Sequence, residues 1–219
     1  YLTFTQNFAW PISNWFGVSW TLSVEEWFYL LFSGVLLALA AIARRNAVPI
    51  ACAAFIVVPT VLRLTFGATE GDLDAMLRKV VIYRLDAIAY GVFAVWCCRH
   101  WPAVARRWKG VAIAVGTILV VSTYVAGQSF WPLTLSVAPL GLALLLPGAA
   151  ALRSAPAIVE VPIRWISERS YAMYMVHLTI VAAAARAVTD GRLAAGYAIP
   201  LALIVTLVLS DLSCRYFEK

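Results

Sequence analysis

SWTLSVEEWFYL, residues 19–30, opens an apolar run that ends at Arg44, Arg45 and Asn46. From about Trp20 to Ala43 the run has the roughly 20 residues a helix needs to cross a hydrocarbon core. Two adjacent carboxylates, Glu25 and Glu26, sit about two turns inside its start. Charges at that depth cost on the order of 3 kcal/mol each unless they face protein, a wet cavity or a partner. The stretch therefore predicts both a membrane span and a buried polar or functional site.

The whole chain agrees with that reading. Its 219 residues are 63% hydrophobic and 13% charged, against roughly 25% charged in soluble domains, and the mean hydropathy is +0.85. Nine Trp and nine Tyr suit the two water interfaces, where amphipathic rings sit well. The net charge of +6 is spread in short basic clusters between apolar runs, which is a topology signal and argues against nucleic acid as a partner. Cys52, Cys97, Cys98 and Cys214 lack metal-ligand spacing and read as small helix residues, so no metal site is expected.

Taken in order, residues 1–18 are aromatic and amide-rich and read as an interfacial loop. Apolar spans then follow at about Trp20–Ala43, Val48–Phe66, Val80–Cys98, Val111–Ala126, Trp131–Leu152, Ser170–Val188 and Ala194–Cys214. Between them come a solvated connection at Gly67–Lys79, a basic loop at Arg99–Gly110, a short GQSF link, a charged loop at Arg153–Arg169 and a tight TDGR turn. The expected architecture is all-α, a polytopic transmembrane bundle of about seven spans. One alternating set of loops holds eleven Lys or Arg: Arg44, Arg45, Arg99, Arg106, Arg107, Lys109, Arg153, Arg164, Arg169, Arg215 and Lys219. By the positive-inside rule that set is cytoplasmic, which puts the opening loop outside and the C-terminus inside.

Polar groups within the spans nominate the site. Glu25 and Glu26 fall in the outer third of their span and Arg84 and Asp86 in the outer third of theirs, so a carboxylate–guanidinium pair between the two helices is expected. Such a pair serves helix packing or function equally well. Two polar faces, Glu25 with Tyr29 and Ser19, Ser23 with Glu26, predict that this first span lies well inside the bundle. Tyr171, Tyr174 and His177 recur every three residues and form one polar stripe on an apolar helix. A neutral imidazole there can act as general base or proton relay, or simply as a hydrogen-bonded packing group. The charged groups are expected to converge in one shielded pocket.

Motifs carry a resemblance as well. SWTLSVEEWFYL resembles the SWSLSVEEQFYL-type signature of the acyltransferase 3 family of membrane acyltransferases, with Trp27 where Gln is common. YRLDAIAYGVFA at 83–94 resembles that family's R-x-D-x-x-x-x-G segment, SYAMYMVHLTIV at 170–181 its S-Y-x-x-Y-x-x-H segment, and YFEK at 216–219 its closing F-E-K/R. The resemblance implies transfer of an acyl group, usually acetyl, from acyl-CoA to a sugar hydroxyl of an envelope polysaccharide, glycolipid or similar acceptor. A multi-pass protein of the bacterial inner membrane is implied too, with no bound cofactor. The family's proposed catalytic His and its Arg-x-x-Arg motif lie upstream of the segments matched here, so residues 1–219 are expected to be a partial domain, inactive alone.

On this reading Glu25, Glu26, Arg84, Asp86 and His177 are the catalytic candidates, and Tyr29, Tyr171 and Tyr174 the substrate-binding ones. With the family's upstream His as the base, Glu25 or Glu26 would orient it, Arg84 would hold that carboxylate or polarise a carbonyl, and the basic loop at 99–109 would attract the phosphates of CoA. The competing class is a transporter or proton path, which the same intramembrane ions and Pro-interrupted helices would also suit.

Overall fold

Apolar runs of this length have one stable form in lipid, since every backbone polar group must be satisfied within its own segment. A computed structural model describes residues 3–11, 17–67, 73–126, 131–151 and 156–216. Seven of its helices are long and apolar enough to cross a membrane, in agreement with the expected count. The GQSF link, Glu70, Asp72, Arg153 and the closing Phe217–Lys219 lie outside the described residues. The chain divides into two compact units, Tyr1–Leu152 and Arg153–Lys219.

The first unit contains α1 (Ser19–Ile42), α2 (Ala47–Phe66), α3 (Asp86–His100), α4 (Pro102–Ala126) and α5 (Trp131–Ala150). An aromatic cluster joins α1 to α2. Phe28 stacks on Phe32 at 4.9 Å, and Phe55 meets both edge-on at 5.4 and 5.3 Å. These rings form one core with Ala51, Cys52, Val81, Leu85 and Ala89. Where α4 crosses α5, glycines let the backbones approach: a Cβ on Gly116 would lie 2.7 Å from the Gly141 carbonyl oxygen. Small residues at a crossing are the usual device of helix association in lipid.

Four features of this unit differ from expectation. The basic loop is helical on both sides of a single break at Trp101, because Pro102 occupies the first position of α4, where its missing N–H costs nothing. The third span begins later, since Val81–Tyr83 form a 3-10 turn and Arg84 and Leu85 lie in the break before α3. The connection before it is partly packed rather than solvated: Asp74–Arg78 make one π-helical turn that inserts a fully buried Leu77. Finally, among the described helices α1 packs chiefly on α2 and the 3-10 turn, with its buried face at Ser19, Ser23, Val24, Phe28 and Phe32, so within this unit it lies toward the periphery.

The opening segment is tied down over that corner. Backbone N–H groups of Val81 and Ile82 donate to the Asn7 and Phe8 carbonyls, and the buried Asn7 amide donates to the Trp20 and Lys79 carbonyls. Trp27 completes the clasp, donating its indole N–H to the Phe4 carbonyl at 3.0 Å with the Phe8 ring 4.6 Å away.

The second unit is a helical hairpin of α6 (Ala157–Thr189) and α7 (Ala195–Tyr216). Its turn is the expected one. Gly191 adopts φ +69, the left-handed conformation that closes a helix at least cost, and Arg192 and Leu193 donate back to the Ala187 carbonyl. The buried seam of α7 is Ala202, Thr206, Ser210 and Cys214, one small residue per turn. Against expectation α6 starts at Ala157, so most of the charged loop is helix. Glu160 pairs with Arg164 one turn on, and Arg169 pairs with Asp211 of α7 at 2.7 Å while its guanidinium covers the Trp165 ring. Those contacts satisfy the charges that made the segment read as a loop.

Candidate functional site

The polar centre of the first unit is built on Asp86, the first residue of α3. Its carboxylate is fully buried and so is the Arg63 guanidinium of α2 that faces it. Arg63 donates through Nη2 to Oδ2 at 2.6 Å and through Nη1 to Oδ1 at 3.1 Å. This two-pronged geometry is the strong form of an ion pair. Ser136 of α5 donates to Oδ2 at 3.0 Å, Thr60 contacts Ser136 at 3.1 Å, and Arg63 reaches both hydroxyls and the Tyr83 carbonyl. Three helices therefore meet at one carboxylate. Both its oxygens are engaged, which makes Asp86 a clamp on helix geometry.

Arg84 stands two residues away and is not part of the clamp. Its Nη1 donates to the Leu135 carbonyl at 2.9 Å, its Nε is buried without an acceptor, and no described carboxylate comes within ion-pair distance. It lines a groove of about 300 Å³ between α3 and α5, together with Ala87, Gly91, Ala138, Pro139 and Leu142.

The expected pair between Glu25 or Glu26 and Arg84 is absent. Both glutamates are exposed on α1 and neither forms an ion pair among the described residues. Ser23, fully buried and donating to the Ser19 carbonyl, takes the inward place that the polar pattern offered to a glutamate. Tyr29 is exposed beside them. Within the first unit the structure brings Asp86 and Arg84 close together and leaves Glu25, Glu26 and Tyr29 on the outer face of α1.

His177 belongs to the second unit. Its Nδ1 lies 2.6 Å from the Tyr174 carbonyl and 3.2 Å from that of Met173. A carbonyl only accepts, so this contact needs the proton on Nδ1, and in the neutral form of the ring the lone pair is then on Nε2. The ring lines an α6–α7 groove of about 390 Å³ whose other walls include Val181, Ala185, Ile199, Ala202 and Thr206. Tyr174 is tilted against it at 5.5 Å between centroids, and Tyr171 is exposed.

Set against known proteins, residues 1–215 match the family model of an acyltransferase domain. This chain belongs to the acyltransferase 3 family. No curated protein and no solved structure matches it. Membership makes it an integral membrane protein of an acyltransferase family, and it gives the three internal motifs a common frame. In the R-x-D-x-x-x-x-G segment the acid secures α3 to α2 and α5, while the arginine and Gly91 open onto the neighbouring groove. Trp27, the departure from the family signature, serves to hold the opening segment.

Sequence reasoning missed Arg63, Thr60 and Ser136 as members of the polar centre. A usable signal was present for the first: Arg63 lies near the far end of the second span, at the same expected depth as Asp86, and an intramembrane cation needs an anion. The hydroxyls carry no such signal, because Ser and Thr commonly bond within their own helix, as Thr60 also does to the Ile56 carbonyl.

Proposed function

We propose that the protein transfers an acyl group, acetyl foremost, from acyl-CoA to a sugar hydroxyl of an envelope polysaccharide, glycolipid or similar acceptor, in the bacterial inner membrane. Family membership supports acyl transfer. The observation that carries the chemistry is the placement of His177, whose ring lines a groove large enough for part of a substrate while its Nδ1 lies against the Tyr174 carbonyl, which leaves Nε2 as the nitrogen to take a proton. In the balanced reaction the acceptor O–H loses its proton to Nε2 and its oxygen attacks the thioester carbonyl. The C–S bond then breaks, and the proton passes to the departing thiolate, leaving ester and free CoA.

Arg106, Arg107 and Lys109, on the exposed first turns of α4, would attract the phosphates of CoA. Glu25 and Glu26 stand as candidates to orient a base. Transport is the weaker reading, because the principal ion pair of the first unit is sealed in protein and lines no path among the described residues.

The test is acylation of envelope glycan by membranes containing the full-length protein and labelled acetyl-CoA. His177→Gln is expected to lower turnover by about 10²–10⁴-fold, the range of a lost general base, with protein level unchanged. Wild-type turnover in that variant would remove His177 from the mechanism, and wild-type turnover in both Glu25→Gln and Glu26→Gln would remove the carboxylates.

A further inference from the structure

An unpaired guanidinium in a membrane protein is costly, and the surroundings of Arg84 leave its charge uncompensated. The nearest acid in sequence, Asp86, is already neutralised by Arg63 and further bonded by Ser136. Arg63, Asp86 and Arg84 thus carry a net single positive charge at the head of α3. The Arg84 Nε–H has no acceptor although it is buried, a state that native structures seldom leave unfilled.

The groove beside it has a defined chemistry. Arg84 lies at one end of the span Val81–His100, close to the expected headgroup level, and the groove leads from it along Ala87 and Gly91 against Ala138, Pro139 and Leu142. A Cβ built on Gly91 meets no atom within 4 Å, so the missing side chain is open space belonging to the groove. The site is cationic at its head and apolar along its length.

We propose that this groove binds an oxyanion carried on an alkyl chain, with a phosphate on Arg84 and the chain along Ala87 and Gly91. A bilayer phospholipid and a free alkyl phosphate share that chemistry. The site is independent of the catalytic reading of His177, and it turns Arg84 from a partner of Glu25 or Glu26 into a ligand-binding residue.

The experiment uses the full-length protein purified in an uncharged maltoside detergent. Dodecyl phosphate is titrated against thermal unfolding, with inorganic phosphate as the tailless control. Tightly held phosphatidylglycerol is counted by mass spectrometry after purification from vesicles that contain it. Saturable stabilisation by dodecyl phosphate, weakened about tenfold or more in both Arg84→Gln and Gly91→Leu, is the expected result. A Cβ at Gly91 meets only open space, so Gly91→Leu reads the tail path even if Arg84→Gln folds poorly.

One retained phosphatidylglycerol, lost in both variants, would support the site and identify the bilayer as its source. A response to dodecyl phosphate with no retained phospholipid would support it with a free amphiphile. Equal stabilisation of wild type and both variants, or an equal effect from inorganic phosphate, would overturn the proposal.

Discussion

Replacing Asp86 by alanine isolates the contribution of the clamp. The substitution removes two guanidinium bonds, at 2.6 and 3.1 Å, and the Ser136 bond at 3.0 Å, and it strands Arg63 with no exposed surface. Breaking one side of a buried ion pair costs about 3–5 kcal/mol, most of it the desolvation of the charge left behind. For a unit of this size each kcal/mol moves the unfolding midpoint by roughly 2–4 °C, so the expected fall is about 6–20 °C.

Removing both charges, as in Arg63→Met with Asp86→Ala, deletes the stranded cation and is expected to restore most of that loss. Cys52 makes the measurement local, since it is wholly buried in the α1–α2 core. With Cys97, Cys98 and Cys214 changed to Ser, the labelling of Cys52 by a thiol-reactive fluorophore during heating reports the opening of this unit. If Asp86→Ala alone leaves the midpoint unchanged, or if the double variant is no more stable than that single one, the clamp is not what holds α2, α3 and α5 together.

Two further outcomes follow from the packing and from the connection before α3. Gly141→Val places atoms 2.9 Å from Val120 Cγ2 and 3.0 Å from the Gly116 carbonyl oxygen, and should cost about 1–3 kcal/mol as overpacking, read as a lower midpoint in the same assay. Asp74 lies beyond the spans, and its carboxyl is held below its ordinary value of 3.8, first by the Arg78 hydrogen bond and then by Lys79. Because the unfolded chain binds that proton more tightly, the stabilisation is present above the unfolded value and is lost as pH falls through the folded one. The pair is partly exposed, so the effect should be at most about 1 kcal/mol. Asp74→Asn should abolish that share of the acid sensitivity, and an identical pH profile for wild type and variant would refute the assignment.

The spans were legible because lipid imposes a length and a composition that a sequence cannot disguise. Helix ends were less so. Arg106, Arg107, Arg164 and Arg169 looked like loop residues because charge marks the exit from lipid, yet a helix that continues into water keeps its bonds and bears charges freely. The polar centre was half legible: Asp86 stood out as an intramembrane acid, but finding its partner needs depth to be matched across all spans, and pairing Arg84 with the glutamates left Arg63 out. The glutamates of α1 misled because two adjacent carboxylates suggest burial, whereas in the structure the small Ser19 and Ser23 face inward and the acids face out. Nothing in the sequence showed that Trp27 would clasp the opening segment, since that contact joins residues whose own patterns are unrelated.

The Arg63–Asp86 contact also bears on how the protein is made. At a helix centre each of these residues alone would add about 2.5–3.5 kcal/mol to the cost of transferring its segment from the insertion channel into lipid, and near a helix end a smaller share of that. Arg63 enters near the end of α2 and Asp86 opens α3, so neither segment is released cheaply until the other has been synthesised. Biogenesis should therefore hold α2 beside the channel until its anionic partner arrives, and deliver the two as a single hairpin with the ionic bond already formed.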